Sequence, residues 1–344
     1  MKLHLSHISR HILHNSSSKS LPLARFLSTK EAIERRDHLF TLEKKRQVEK
    51  VGRVEKIEVR YKGVPNDCTL VMNKNISTPY DCAKHLSEWH TESSALALVD
   101  GHVHWDMHRP LSENCILELQ TYTVAEPQQV NKAFWRTCSM MLGAVVSSAF
   151  KDNVPVKLHS FPGPDIRSGS FIYDVDLPTL PDWQPTQQEI HTLGAEFVKL
   201  VRQNLLVERL DVGEELAKEM FVENEHKVGQ IPSIARGNAN APGKVTMYRI
   251  GKHVDISKGP MISCTGQVGR VTVAAVHALS GAPGQLRRLH RFQGLALPAG
   301  VVLNHFAYQI LTDRAKKLNP ARSPINPFNE EDSSAAPQAA AASA

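Results

Sequence analysis

The sequence has no long hydrophobic run. Its best candidate, MLGAVVSSAF at residues 141–150, stops at ten residues, well short of the ~18 that a membrane-crossing helix needs. A soluble protein is therefore expected. Cysteine is scarce: Cys68, Cys82, Cys115, Cys138 and Cys264 are odd in number and form no CxxC pair. That excludes a disulfide framework and a cysteine-rich zinc site, and points to a reducing compartment. Neither a Walker A motif nor a GxGxxG fingerprint occurs, which removes the common nucleotide-binding classes. The glycine-bearing stretch LSGAPGQL follows no strand-loop-helix pattern and reads as a turn.

Acidic residues are absent from the first 29 positions, which hold four Lys/Arg and seven serines. Histidines and serines interrupt every apolar stretch there, so a secretory signal is excluded and a mitochondrial transit peptide over residues 1–29 is predicted. Arg25-Phe26-Leu27-Ser28 resembles the arginine-led cleavage sites of matrix-targeted proteins. The alternative is a disordered basic arm. This segment carries four of the six net positive charges, so electrostatic partners must be sought in local patches rather than in the overall charge.

Residues 30–56 are dense in charge and free of proline, as in an exposed, ion-paired helix. Arg35, Arg36, Lys44, Lys45 and Arg46 are candidate RNA contacts on that helical extension. From Ile57 the pattern changes to short alternating runs, with a helix start at Thr78-Pro79 and a turn at Asp100-Gly101. A hairpin, a helix and further strands over residues 57–124 define a small α+β unit. STPYDCAKHL followed by ALALVDGHVHWDMHRPLSENCILELQT resembles the TGS domain, a ubiquitin-like β-grasp module. The same segment holds His102, His104 and His108 around Asp106. Alternation puts the first two on one strand face, where a metal is conceivable, although a polar hairpin explains them without one.

In NKAFWRTCSMMLGAVVSSAF, residues 131–150, Phe134, Cys138, Met141, Val145 and Ala149 recur at helical spacing and mark a core-facing helix. RTCSMMLG resembles the H-S-x-x-H-L-L-G motif of threonyl- and alanyl-tRNA-synthetase editing domains. HVDISKGPMI, residues 253–262, resembles their D-x-C-x-G-P-H loop, and FIYDVDLP resembles a strand between the two. The resemblance predicts an editing-like two-layer α/β domain over residues 125–318. It also places the four metal-ligand positions at Arg136, Met140, Ser257 and Met261.

None of those four side chains suits zinc. Arginine has only donors and stays protonated, serine offers a neutral hydroxyl, and thioethers favour copper(I). Met140 and Met261 are expected to fill the vacated space. Rebuilding of a site from Cys138, Cys264 and His253 is disfavoured, because Cys138 points to a different helix face from Arg136.

QLRRLHRFQG, residues 285–294, interleaves Arg287, Arg288 and Arg291 with His290 and Phe292. It reads either as RNA contact or as an exposed helix face. Residues 319–344 are rich in Pro, Ser and Ala and are predicted to be a disordered tail. Over residues 55–318 the chain resembles the threonyl-tRNA-synthetase-like proteins of the mitochondrial large ribosomal subunit. That resemblance implies a non-catalytic matrix protein supporting mitochondrial translation, bound to ribosomal RNA and neighbouring ribosomal proteins, with no cofactor, metal or small-molecule substrate. A free-standing deacylase of mischarged tRNA and a soluble regulatory RNA- or nucleotide-binding protein are the alternatives. Aminoacylation is excluded, because a class II catalytic core needs far more chain than follows residue 318.

Overall fold

The computed structural model describes residues 27–238, 241–279 and 288–321. The expected transit peptide lies outside them except for its last three residues, as does the tail from residue 322 onward. The architecture is α+β, with one mixed five-stranded sheet and two antiparallel sheets.

The first sheet has the order β2-β1-β5-β3-β4. Strand β1 (Lys56–Tyr61) pairs antiparallel with β2 (Cys68–Asn73) and parallel with β5 (Cys115–Gln120), while β3 (Leu96–Val99) runs antiparallel to β4 (Val103–Trp105) and β5. Every second residue of β1 is buried, so one face of the sheet takes the cover of helix α2 (Pro79–Leu86). Val59, Met72, Cys82, Ala83 and Leu117 form the core between them. Thr78 caps α2 in a full capping box with Asp81, and Pro79 opens the helix. A short helix α3 (Glu88–Ser93) follows. The β3–β4 turn places Asp100 and Gly101 at φ of 52° and 73°, a conformation that aspartate and glycine tolerate best.

Helix α4 (Gln128–Ala149) is buried on most of its circumference, as befits the central helix of a domain. It packs against β7 (Phe171–Asp176) and β12 (Leu289–Pro298) of a sheet ordered β11-β12-β7-β6, completed by β6 (Lys157–Ser160) and β11 (Val268–Leu279). Gly143 lies where α4 meets β7; a Cβ there would stand 2.6 Å from the Tyr173 ring, so only glycine permits that approach. Helix α5 (Gln187–Arg202) covers β11 and lies beside α4. The third sheet, β10-β9-β8, comprises β8 (Val207–Gly213), β9 (Lys244–Ile250) and β10 (His253–Ile256). Helices α6 (Glu214–Met220) and α7 (Glu225–Gly237) pack on it, and α8 (His305–Ala315) packs over β11 and β12.

Three expectations need correction. Helix α1 (Thr29–Glu49) is not a solvated extension: it docks on β8, β10, α4 and α6 through Ala32, Arg36, Phe40 and Glu43. This buried stripe contains two charged residues and one large apolar one, so it carries too little hydrophobic signal to be read from the sequence. The stretch around Arg291 is strand β12, not helix. Asn319, placed in the disordered tail, is 3% exposed. Its amide group donates to Ser168 and Ser170, and its backbone N–H donates to Gln293.

Candidate functional site

Helical spacing sets Arg136 and Met140 one turn apart on α4, and Arg136 reaches the loop of residues 257–262 that follows β10. The first four residues of HVDISKGPMI form that strand, so the loop is shorter than the sequence implies. Two hydrogen bonds join helix to loop. Arg136 Nη1 donates to the Pro260 carbonyl at 2.7 Å, and the Ile262 N–H donates to Thr137 Oγ1 at 3.1 Å. Met140 and Met261 are both buried, at 0% and 1% exposure, in the same core cluster. Ser257 is buried, and its hydroxyl accepts a local bond from the Gly259 N–H at 3.4 Å. Of the four positions, Arg136 reaches the loop through the Pro260 carbonyl, Ser257 bonds within the loop, and Met140 and Met261 belong to one core cluster.

The retained motif residues have structural work. Gly259 has φ of 68°, and a Cβ there would fall on the Tyr248 hydroxyl. Asp255 is fully buried; it pairs with Lys227 at 2.7 Å, accepts from the Tyr173 hydroxyl and accepts its neighbour's N–H at 2.8 Å. Burial alone would raise the Asp255 pKa, but Lys227, His253 and the hydrogen bonds hold it below the usual carboxylate value.

Sequence reasoning missed the group that organises this loop. Asp106, between β4 and α4, places Oδ1 at 2.8 Å from both the Met261 N–H and the Tyr248 hydroxyl. Its Oδ2 accepts from Arg209 at 2.9 Å. Burial pulls the Arg136 pKa down, only partly opposed by Tyr248 and Asp106. Burial also drives the Tyr248 pKa well up, reinforced by Asp106. Both carboxylate oxygens of Asp106 are therefore engaged. Asp106 sits within a histidine cluster that drew attention for another reason, and its partners lie more than 100 residues away.

Those histidines do not converge. His102 bonds to the Asp100 carbonyl, His104 to Gln120 and His108 to the Ser263 carbonyl. Burial pushes the thiols of Cys138 and Cys264 up, away from the thiolate form a metal requires. Elsewhere, Asp176, Glu225 and His226 bring ligand atoms within 4.8 Å of one another, but Lys157 already pairs with Glu225 at 3.3 Å.

Two of the candidate RNA contacts are overturned. Arg36 is buried, with its guanidinium 5.1 Å from the Phe221 ring centroid and 3.4 Å from Glu223. Arg291 is buried and makes two bonds of 2.8 Å to Asp174 and one of 2.6 Å to the Asn319 carbonyl. Neither reaches a phosphate without unfolding. Arg35, Lys44, Lys45, Arg46 and Arg288 lie nearer solvent, paired with Glu219, Glu208, Glu49, Glu43 and Asp182 respectively. Arg287 lies outside the described residues.

The α+β chain is similar in sequence to part of the threonyl-tRNA synthetases. Threonine–tRNA ligase of Thermotoga maritima is 30% identical over 199 residues, covering 58% of this chain and 28% of the ligase. Human threonine–tRNA ligase 2, cytoplasmic, is 29% identical over 224 residues, 64% of this chain and 25% of the ligase. No family model matches. Large ribosomal subunit protein mL39 of Drosophila melanogaster is 51% identical over 308 residues, 90% of this chain and 91% of that protein. The chain belongs to the mL39 family of large ribosomal subunit proteins.

Proposed function

We propose that the protein is a non-catalytic constituent of the mitochondrial large ribosomal subunit, held by ribosomal RNA and neighbouring proteins and supporting mitochondrial translation. The observation that carries this reading is the likeness to mL39 over nine-tenths of both chains. The burial of Met140, Ser257 and Met261 and the hydrogen bond from Arg136 to the Pro260 carbonyl support it, as does the acid-free, serine-rich leader.

Residues 57–124 act as a TGS-like β-grasp domain, a reading supported by the sheet order β2-β1-β5-β3-β4 with one covering helix. Residues 125–318 act as a ligand-free editing-like domain, to which α1 is added by docking and which extends to Asn319. Ribosomal RNA is met by exposed cations, with Lys45, Arg46 and Arg288 at 73%, 65% and 61% side-chain exposure. Isolated surface ion pairs hold such residues weakly, so phosphate can displace the acidic partner. Proteins are met at the outer face of α8, where Phe306 and Ile310 stand one turn apart and are 81% and 69% exposed, next to Val302 in the segment before the helix at 90%. An exposed apolar stripe of this kind marks an interaction surface.

Sedimentation of mitochondrial lysate tests the assignment. Co-migration with the large subunit is expected. Confinement to light fractions favours a soluble regulator instead, and turnover of mischarged tRNA by the purified protein revives the deacylase.

A further inference from the structure

Helix α1 is fastened by charge more than by apolar contact. Of its four buried residues only Phe40 is large and apolar; the others are Ala32, Arg36 and Glu43. Ion pairs supply much of the remaining hold. Arg35 pairs with Glu219 at 3.3 Å, Arg36 with Glu223 at 3.4 Å, and Lys44 with Glu208. Arg249 on β9 pairs with Asp37 at 2.9 Å and with Glu208, donates to Thr41, and lies 4.6 Å from the Phe40 ring centroid. Lys44, Glu208, Arg249 and Asp37 thus form one chain of alternating charge across the joint. Such a network holds better than isolated pairs, and salt weakens it where it meets solvent.

The seat beneath the helix is incompletely satisfied. Both carboxylate oxygens of Glu223 and both ring nitrogens of His253 are buried, and none has a hydrogen-bond partner among the described residues. Arg36 enters this place from α1, reaching Glu223 and the Val254 carbonyl on β10. Buried polar atoms without partners cost free energy that hydration recovers when the site opens. Helix α4, by contrast, is buried on most of its circumference within the main apolar core. Opening at low cost is therefore concentrated at α1.

We propose that α1 is a strap that lifts from β8, β10, α4 and α6 while the rest of the chain stays folded, and that a polyanion drives the lifting. Among the five Lys and Arg residues between positions 35 and 46, the closed helix offers solvent chiefly Lys45 and Arg46. The open helix adds Arg35, Arg36 and Lys44, released from Glu219, Glu223 and Glu208; Arg36 becomes accessible only in this form. A ligand that binds the open state more strongly shifts the population towards it. Five cations bind a phosphate backbone more strongly than two. The trigger rests on the RNA contact proposed above, whereas the strap itself does not.

Hydrogen exchange of the full chain, followed by mass spectrometry in low salt, in high salt and in low salt with poly(U) RNA, tests both parts. Strand β10 is the reporter, because α1 covers it whether or not RNA orders the lifted helix. High salt and poly(U) are each expected to speed exchange in β10 about tenfold with α4 unchanged. Glu208→Gln is expected to do the same in low salt without RNA, and intact α4 protection shows that this variant is folded. Equal protection of β10 and α4 in every condition overturns the strap, as does loss of protection in both together. Poly(U) bound by fluorescence anisotropy with β10 still protected overturns the trigger while the RNA contact stands. Absence of poly(U) binding in low salt overturns the RNA contact and the trigger, and acceleration by high salt alone then supports the strap.

Discussion

Asp106 and Arg209, 103 residues apart in sequence, form an ion pair of 2.9 Å with side chains only 2% and 4% exposed. Through Asp106 this pair also holds the Met261 N–H and the Tyr248 hydroxyl, so a residue of the N-terminal sheet region fixes the loop that follows β10. Removing Asp106 leaves buried Arg209 with only its longer contact to Asp211 at 3.3 Å, at a cost of about 3–5 kcal/mol. Asp106→Ala is expected to lower the urea midpoint accordingly. A double variant, Asp106→Leu with Arg209→Met, is expected to recover part of the loss, because the deeply buried charge goes with its partner and only the part-exposed Asp211, which keeps its Thr246 hydrogen bond, loses a cation.

The Arg136 guanidinium sits where a metal ligand is expected, so metal affinity should require replacement of all four positions. Wild-type protein is expected to show no stoichiometric zinc or copper by elemental analysis. The combined variant Arg136→His, Met140→His, Ser257→Cys and Met261→His restores a nitrogen and sulfur donor set and is expected to retain about one zinc per chain. Arg136→His alone is expected to retain none.

Two buried histidines set an acid limit on stability. Burial, together with Arg36 and Lys227 and against the pull of Asp255, lowers the His253 pKa from 6.5 to about 4; burial, His226 and Lys227 lower His159 to about 4. Between pH 6.5 and about 4 the unfolded chain binds protons that the folded chain refuses, so stability is full above 6.5 and falls as pH drops through that window. Each histidine contributes up to roughly 3 kcal/mol. Urea titrations are expected to show this slope, and His253→Phe is expected to flatten it.

Arg288 and Arg291 are three residues apart but should behave oppositely. Arg291→Ala leaves Asp174 buried without its bidentate partner and is expected to cost about 3–5 kcal/mol. Arg288→Gln is expected to leave stability within about 0.5 kcal/mol. Combined with Arg287→Gln, it should reduce the salt dependence of RNA binding by up to about two phosphate contacts.

On α8, Phe306→Asp with Ile310→Asp changes side chains that are 81% and 69% exposed. Folding should be nearly unaffected, while co-sedimentation with the large subunit is expected to fall. Unchanged co-sedimentation removes this face from the binding surface.

Local signals were legible where they rest on adjacent residues. Thr78 with Pro79, Asp100 with Gly101, and the apolar periodicity of α4 each carry their geometry in a few positions. That α4 and the loop after β10 lie together was legible because the helix and loop motifs were read as one site, and Arg136 and Thr137 do join the loop at Pro260 and Ile262. The docking of α1 was not, since Arg36 and Glu43 are buried by partners elsewhere in the chain. Nor was β12, whose arginines resemble a solvated surface until Asp174 on the neighbouring strand is known. The role of Asp106 depends wholly on tertiary contact, which no local spacing records.

Gly143 and Gly259 each make room for a tyrosine, one against the Tyr173 ring and the other beneath the Tyr248 hydroxyl. Neither glycine therefore reports on the metal whose motifs it punctuates. A chain recognised by its L-G and G-P steps alone is recognised by its framework, and hydrolytic chemistry has to be judged from the four donor positions. Grafting those donors tests the framework's competence without asking it to fold anew.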